Sequence, residues 1–203
     1  MSGTFPISAG FQTLDFQSNT NSRVTVSVSG KTQRIKTGAQ FWSFKLKSPA
    51  MTREDMMADF AFIVQQDGQV ESFTIVPPTI SSTRGTASGT ITVANVTSES
   101  PLISLASGSS AIGVTGGTGT LKKGDLIKFS NHDKVYMITE DVTISGTNDA
   151  ISFYPPLVTG ITNSTTITYN NVPLKVYFDR DEQKFETQTD GTFRYEIMMN
   201  EEI

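Results

Sequence analysis

Strict alternation of apolar and polar residues near both ends of the chain constrains its fold more than any other feature. Trp42, Phe44 and Leu46 occupy every second position of one segment. Tyr195 and Ile197 do the same within the last dozen residues. A period of two places alternate side chains on one face of a strand. Both ends of the chain are therefore predicted to form β-strands.

The middle of the chain differs in composition, because residues 81–120 are very rich in Ser, Thr and Gly. Short strands are predicted within this stretch at residues 90–96 and 101–105, and short apolar runs separated by turn residues follow it. We predict a discontinuous first domain from residues 1–80 and 171–203, interrupted by a small inserted β domain of residues 81–170. Strands from opposite ends of the sequence would then pair within one sheet.

A hairpin is predicted over residues 23–36. Val24, Val26 and Val28 alternate with polar residues, and Ser29 and Gly30 have the character of a tight turn. The residues that follow form a polar return strand, which we expect to end at Gly38.

One helix is predicted from about Thr52 to Gln66. Thr52 followed by Asp55 resembles a capping box, and acidic residues suit the first turn of a helix. Apolar residues recur at helical spacing and predict one stripe that packs on the sheet. The stripe consists of Met56, Met57, Phe60, Ile63 and Val64.

Composition excludes several functions. The chain has no cysteine, which rules out disulfides, thiol catalysis and thiolate metal sites. The net charge is −4 without a dense cluster of cations, so we expect no track for nucleic-acid phosphates. Apolar runs are too short for membrane insertion, and the N-terminus lacks the features of a signal peptide. The protein is therefore expected to be made and kept in a cytoplasm, unless it leaves by cell lysis.

The residues that could support catalysis or ligand binding have more ordinary interpretations. His132 is the single histidine and falls in a turn between two strands. The glycine-rich residues 113–119 lack the ending of a phosphate-binding loop and are interpreted as a flexible loop between strands. The acidic residues Asp179, Asp181 and Glu182 alternate with cations, as in a solvated loop. We predict no catalytic residue, no metal and no cofactor.

The aromatic residues Phe41, Trp42 and Phe44 permit two interpretations. They could form a sugar-binding surface, or they could pack in the core of a sheet. Core packing is favoured, and an exposed Trp42 would reverse that preference.

Several segments together resemble a known protein family. They are AQFW (residues 39–42), GDLIKFSNHDKVYMIT (124–139), ISFYPPL (151–157) and GTFRYEI (191–197). Their order resembles that of the distal tail proteins of long-tailed siphophages, in particular the two-domain kind of the T5-like phages. Related tail-tube and baseplate-hub proteins share the same core.

This resemblance implies a mainly β fold with a discontinuous split β-barrel of the tail-tube type, one helix, and an inserted OB-like barrel. It implies a ring of identical subunits, expected to be a hexamer, at the tail tip of a virion. The partners would be the tail tube protein, a baseplate hub or central fibre protein, and side fibres. DNA would pass through the ring only as cargo.

We expect the ring to form through polar segments that extend the first domain, namely the hairpin and the loop of residues 179–191. The candidate inter-subunit residues are Arg23, Lys31, Arg34, Lys36, Asp179, Arg180, Asp181 and Lys184. Three alternatives stay open. The chain could be a carbohydrate-binding module of a virion, a hub or tube component of a related phage, or a wall-degrading enzyme with a carboxylate pair.

Overall fold

The computed structural model describes residues 3–7, 10–94, 105–147 and 149–203. The chain forms two compact units. One consists of Met1–Thr74 with Lys175–Ile203, and the other is Ile75–Leu174. Both are built mainly from β-strands, and a single α-helix occurs among the described residues.

The first unit contains an open antiparallel sheet to which both ends of the sequence contribute. Strand β2 (Thr32–Lys47) lies between β1 (Thr13–Val26) and β14 (Phe193–Glu201). The order continues through β12 (Leu174–Phe178) to β3 (Phe73–Ile75), and β13 (Phe185–Thr187) pairs with β14. The predicted pairing of strands from opposite ends is confirmed, since Leu46 lies opposite Ile197.

The buried face of this sheet follows the predicted alternation. Trp42, Phe44 and Leu46 are buried, as are Tyr195 and Ile197 on the neighbouring strand. Burial of these large side chains, roughly 2 kcal/mol for each, is the main stabilising contribution to the unit.

The helix α1 (Arg53–Gln65) begins as predicted, with Thr52 accepting a hydrogen bond from the Asp55 backbone amide. Its predicted stripe is only partly correct. Met56 and Ile63 are buried, whereas Met57 and Val64 are exposed. The remaining buried position is Asp59, which bonds with the sheet through Tyr195.

The second unit is built from eight strands, which are β4 (Ile91–Ala94), β5 (Ala111–Thr115), β6 (Gly119–Leu121), β7 (Leu126–Phe129), β8 (Val135–Ile138), β9 (Val142–Ile144), β10 (Asp149–Tyr154) and β11 (Thr166–Thr168). Six of them form a closed barrel, in the order β10-β5-β4-β11-β7-β8. The other two, β6 and β9, pair with each other. The predicted fold class, mainly β with one helix and a small barrel, is confirmed.

Asp125 is the polar centre of this unit and is 2% exposed. Its carboxylate accepts hydrogen bonds from the hydroxyl of Thr83, from the backbone amides of Arg84 and Lys122, and from the Arg84 guanidinium. Burial opposes ionisation of Asp125, but these hydrogen bonds outweigh it and lower the pKa of the carboxyl group. One side chain thus connects the segment before β4 to the barrel.

The structure corrects three local predictions. Strand β2 continues through Gly38 in one run to Lys47. The glycine-rich residues 113–119 are a loop only in their middle, because Gly113 lies within β5 and Gly119 begins β6. The segment of residues 179–191 contains β13, because Phe185 contacts Phe60 and Phe193. A strand predicted over residues 101–105 falls mostly outside the described residues.

Candidate assembly surfaces

The predicted hairpin is the far end of a much longer ribbon formed by β1 and β2. We call its residues 21–37 the arm; every one of them is exposed. The arm begins where the pairing shifts register between Thr20 and Ser22. Such a bulge increases local twist and bends the ribbon. At the base, Asn19 and Gln40 donate hydrogen bonds to Ser43 and Ser18 across the two strands.

The two faces of the arm differ in chemistry. Cross-strand partners share a face, and Val24 lies opposite Arg34 while Ser22 lies opposite Lys36. Val26 follows on the same face, so one side of the ribbon has valines on β1 beside cations on β2. Val24 and Val26 are 58% and 63% exposed. Together these two valines form a short exposed apolar row on this face.

Four of the predicted contact residues lie in the arm, at separate positions. Arg23 is in β1, opposite Ile35, and Lys31 is in the turn. Arg34 and Lys36 are both in β2. Across the described part of the chain, none of these four cations forms a salt bridge. All charged residues of the arm are thus cations, and none is neutralised by an ion pair with another described residue.

The other four predicted contact residues lie beyond the end of β12, in a segment that contacts the residues after α1. They are Asp179, Arg180, Asp181 and Lys184. Asp181 accepts a hydrogen bond from the Gln69 backbone amide, and the Asp179 carbonyl oxygen accepts one from the Gln69 side chain. The Asp179 carboxylate also accepts from Asn200 at 2.8 Å. The structure therefore places this acidic segment beside the C-terminal end of the helix, which the sequence did not indicate.

Arg180 and Lys184 line a shallow groove of about 260 Å³ beside β13 and β14. Glu182, Glu186 and Glu196 line the same groove. Cations and acids thus alternate around it. None of the four arm cations lines the groove, so the two predicted groups of contact residues form separate surfaces.

His132 is partly buried and packs against aromatic residues of the barrel core. Its imidazole nitrogens form hydrogen bonds with Asn131 at 2.9 Å and with the hydroxyl of Tyr136 at 2.8 Å. Burial lowers the pKa of His132, and the charge of Lys128 adds to this effect. The neighbouring rings of Phe129 and Tyr136 complete the contact. This geometry fits a structural histidine.

Trp42 is 3% exposed and stacks on Phe16 at 4.6 Å, so its interpretation as a core residue is confirmed. Among the residues that the structure describes, no group of three or more acidic or histidine side chains could hold a metal ion. Within the same residues, no helix has the length and apolar character needed to cross a membrane.

Comparison with known proteins identifies the second unit. Residues 81–172 match the family model described as "Distal tail protein pb9, B domain". The matched segment includes all six strands of the barrel. The resemblance to phage distal tail proteins is thereby confirmed, whereas the T5-like two-domain subtype stays a prediction. No curated protein matches the chain.

Proposed function

We propose that this chain, a structural protein of a bacteriophage tail and hence a component of the virion, closes with copies of itself into a ring at the tail tip. Six copies are the expected number. The ring would join the tail tube protein to the baseplate hub or central fibre, and DNA would pass through its centre. The protein would act by geometry, without catalysing a reaction.

The observation that supports this proposal most strongly is the exposed arm. A two-stranded ribbon is marginally stable alone in water, and none of the residues that the structure describes covers this one. Its outer strand, β1, is also an edge of the sheet. Exposed edges and apolar ribbons are liabilities that proteins cover by association. A contact with a neighbouring copy would cover both.

The division of the chain into two units supports a division of roles. We propose that the discontinuous unit forms the ring and that the barrel unit presents a surface to other tail components, such as side fibres. This proposal includes the domain boundaries predicted at residues 80 and 171. It also includes a location at the tail tip, as opposed to the baseplate hub or the tail tube.

Negative-stain electron microscopy of the purified chain tests the proposal. Annular particles with a central opening are the expected result. A useful variant replaces residues 23–35 with Asn-Gly, which forms a tight two-residue hairpin between Ser22 and Lys36. This variant should fold and give no rings. A lasting monomer that binds glycans would instead favour the carbohydrate-binding module.

A further inference from the structure

The outer face of α1 is apolar, although it faces solvent. Met57, Ala61 and Val64 recur at the spacing of one helix face, and all three are exposed. Val64 is 60% exposed, and Val70, shortly after the helix, is 75% exposed. A surface helix normally carries polar residues on its outer face. We call these four residues the helix stripe.

Acidic residues lie at one end of the helix stripe. Asp67 follows the helix directly and is exposed. Asp181 contacts the same turn, because it accepts a hydrogen bond from the Gln69 amide at 3.1 Å. The stripe is therefore an apolar surface with a negative border at the C-terminal end of α1.

The arm offers the complementary combination. Its apolar row, Val24 and Val26, lies beside the cations Arg34 and Lys36 on one face of the ribbon. Apolar side chains would cover apolar side chains, while the cations would meet the acidic border. Matching patches of opposite charge favour one partner and one orientation.

Arm and helix stripe do not cover each other within a chain, since both are exposed in the same protomer. Contact between them requires a second copy. Two different patches on one chain form a heterologous interface, which generates a closed ring if the rotation between copies is suitable. A ring needs this kind of interface.

We infer that the valine face of the arm of one copy lies across the helix stripe of the next copy, with Arg34 and Lys36 beside Asp67 and Asp181. This inference rests on the proposed ring and identifies its contact surfaces. The helix would thus serve as the receiving surface of the assembly as well as a cover for the sheet.

Cross-linking tests the inference, since the chain has no cysteine of its own. One preparation contains Val26→Cys in the arm and another contains Val64→Cys in the helix stripe. The two are mixed and treated with a short bismaleimide. The control mixture pairs Val26→Cys with Val158→Cys, a partly exposed valine of the barrel unit.

The arm–helix mixture should yield about tenfold more linked dimer than the control, because docking raises the effective concentration of the pair. Equal yields from the two mixtures, in a preparation that forms rings, would overturn the inference and leave the ring intact. Equal yields without rings at any protein concentration would overturn both proposals.

Discussion

The hydroxyl of Tyr195 donates a hydrogen bond to the carboxylate of Asp59 at 3.0 Å, and both residues are almost completely buried. Tyr195 lies in β14 and Asp59 in α1. The bond therefore connects the C-terminal strand to the helix across 136 positions of the sequence. A buried carboxylate requires such donors, because its desolvation is otherwise unfavourable.

Replacing Tyr195 with Phe should destabilise the first unit by about 1–3 kcal/mol, because a donor to a buried carboxylate is lost. The free energy of unfolding in urea measures the effect. Tyr177→Phe is the matched control, because Tyr177 is a partly buried tyrosine of the same sheet. An equal loss in both variants would contradict the structural role of the bond.

Tyr195 also predicts an alkaline limit of stability. Burial raises the pKa of Tyr195, and the nearby Asp59 raises it further. Because the pKa of Tyr195 is higher in the folded chain than in the unfolded chain, this tyrosine stabilises the folded state at low pH. That stabilisation is lost as the pH rises beyond the ordinary tyrosine value of about 10. Unfolding curves measured from pH 8 to 11 should show this decline, and the decline should be smaller in Tyr195→Phe.

Asp125→Asn should destabilise the barrel by about 2 kcal/mol at neutral pH, because the charge that accepts several hydrogen bonds disappears. The pKa of Asp125 is lowered in the folded state, so its contribution is present above the unfolded value of about 4 and is lost as the pH falls through the folded value. Asp141→Asn, at an exposed carboxylate, is the control. A variant as stable as the unmodified chain at pH 7 would contradict this account.

Gly85 packs closely against the backbone of strand β6, at Thr120. A Cβ atom at this position would stand 1.9 Å from the carbonyl oxygen of Thr120, so the backbone would have to move. Gly85→Ala should cost at least about 2 kcal/mol of stability, as overpacking commonly does. In Gly160→Ala the nearest atom would be 3.4 Å away, and that variant should be nearly neutral by thermal unfolding.

Arg34→Glu should weaken assembly without changing the stability of the protomer, because Arg34 is exposed and lies in the arm. Sedimentation velocity should show dissociation at a higher protein concentration than for the unmodified chain. Added salt should weaken assembly of the unmodified chain in the same direction. Lys123→Glu makes the same charge change in the barrel unit, and an equal effect there would contradict a role for the arm.

Alternation was a reliable guide where one face of a strand is buried. It predicted the core half of β2 and the part of β14 that contains Tyr195 and Ile197, because apolar and polar residues alternate in both segments. It did not predict the strand over residues 13–22, whose composition is largely polar. That strand forms because it pairs with β2 along its length, a partner that the local sequence does not reveal.

Sequence patterns did not predict the contacts that connect distant segments of the chain. Aspartates such as Asp59 and Asp125 are expected at the solvent-exposed surface, yet both side chains are buried and hydrogen-bonded. Met57 and Val64 had the spacing of a buried stripe, yet both are exposed. A pattern shows that residues are apolar and share a helix face. It does not show which face the sheet covers and which one stays exposed.

The most direct test of the account is the mass of the assembly measured by native mass spectrometry, for the intact chain and for the variant with the shortened arm. A ring of six copies would give a species of six times the 22.1 kDa chain for the intact protein, and the variant should give a single chain. A variant that assembles as the intact protein does, or an intact protein that stays a single chain at every concentration, would contradict it.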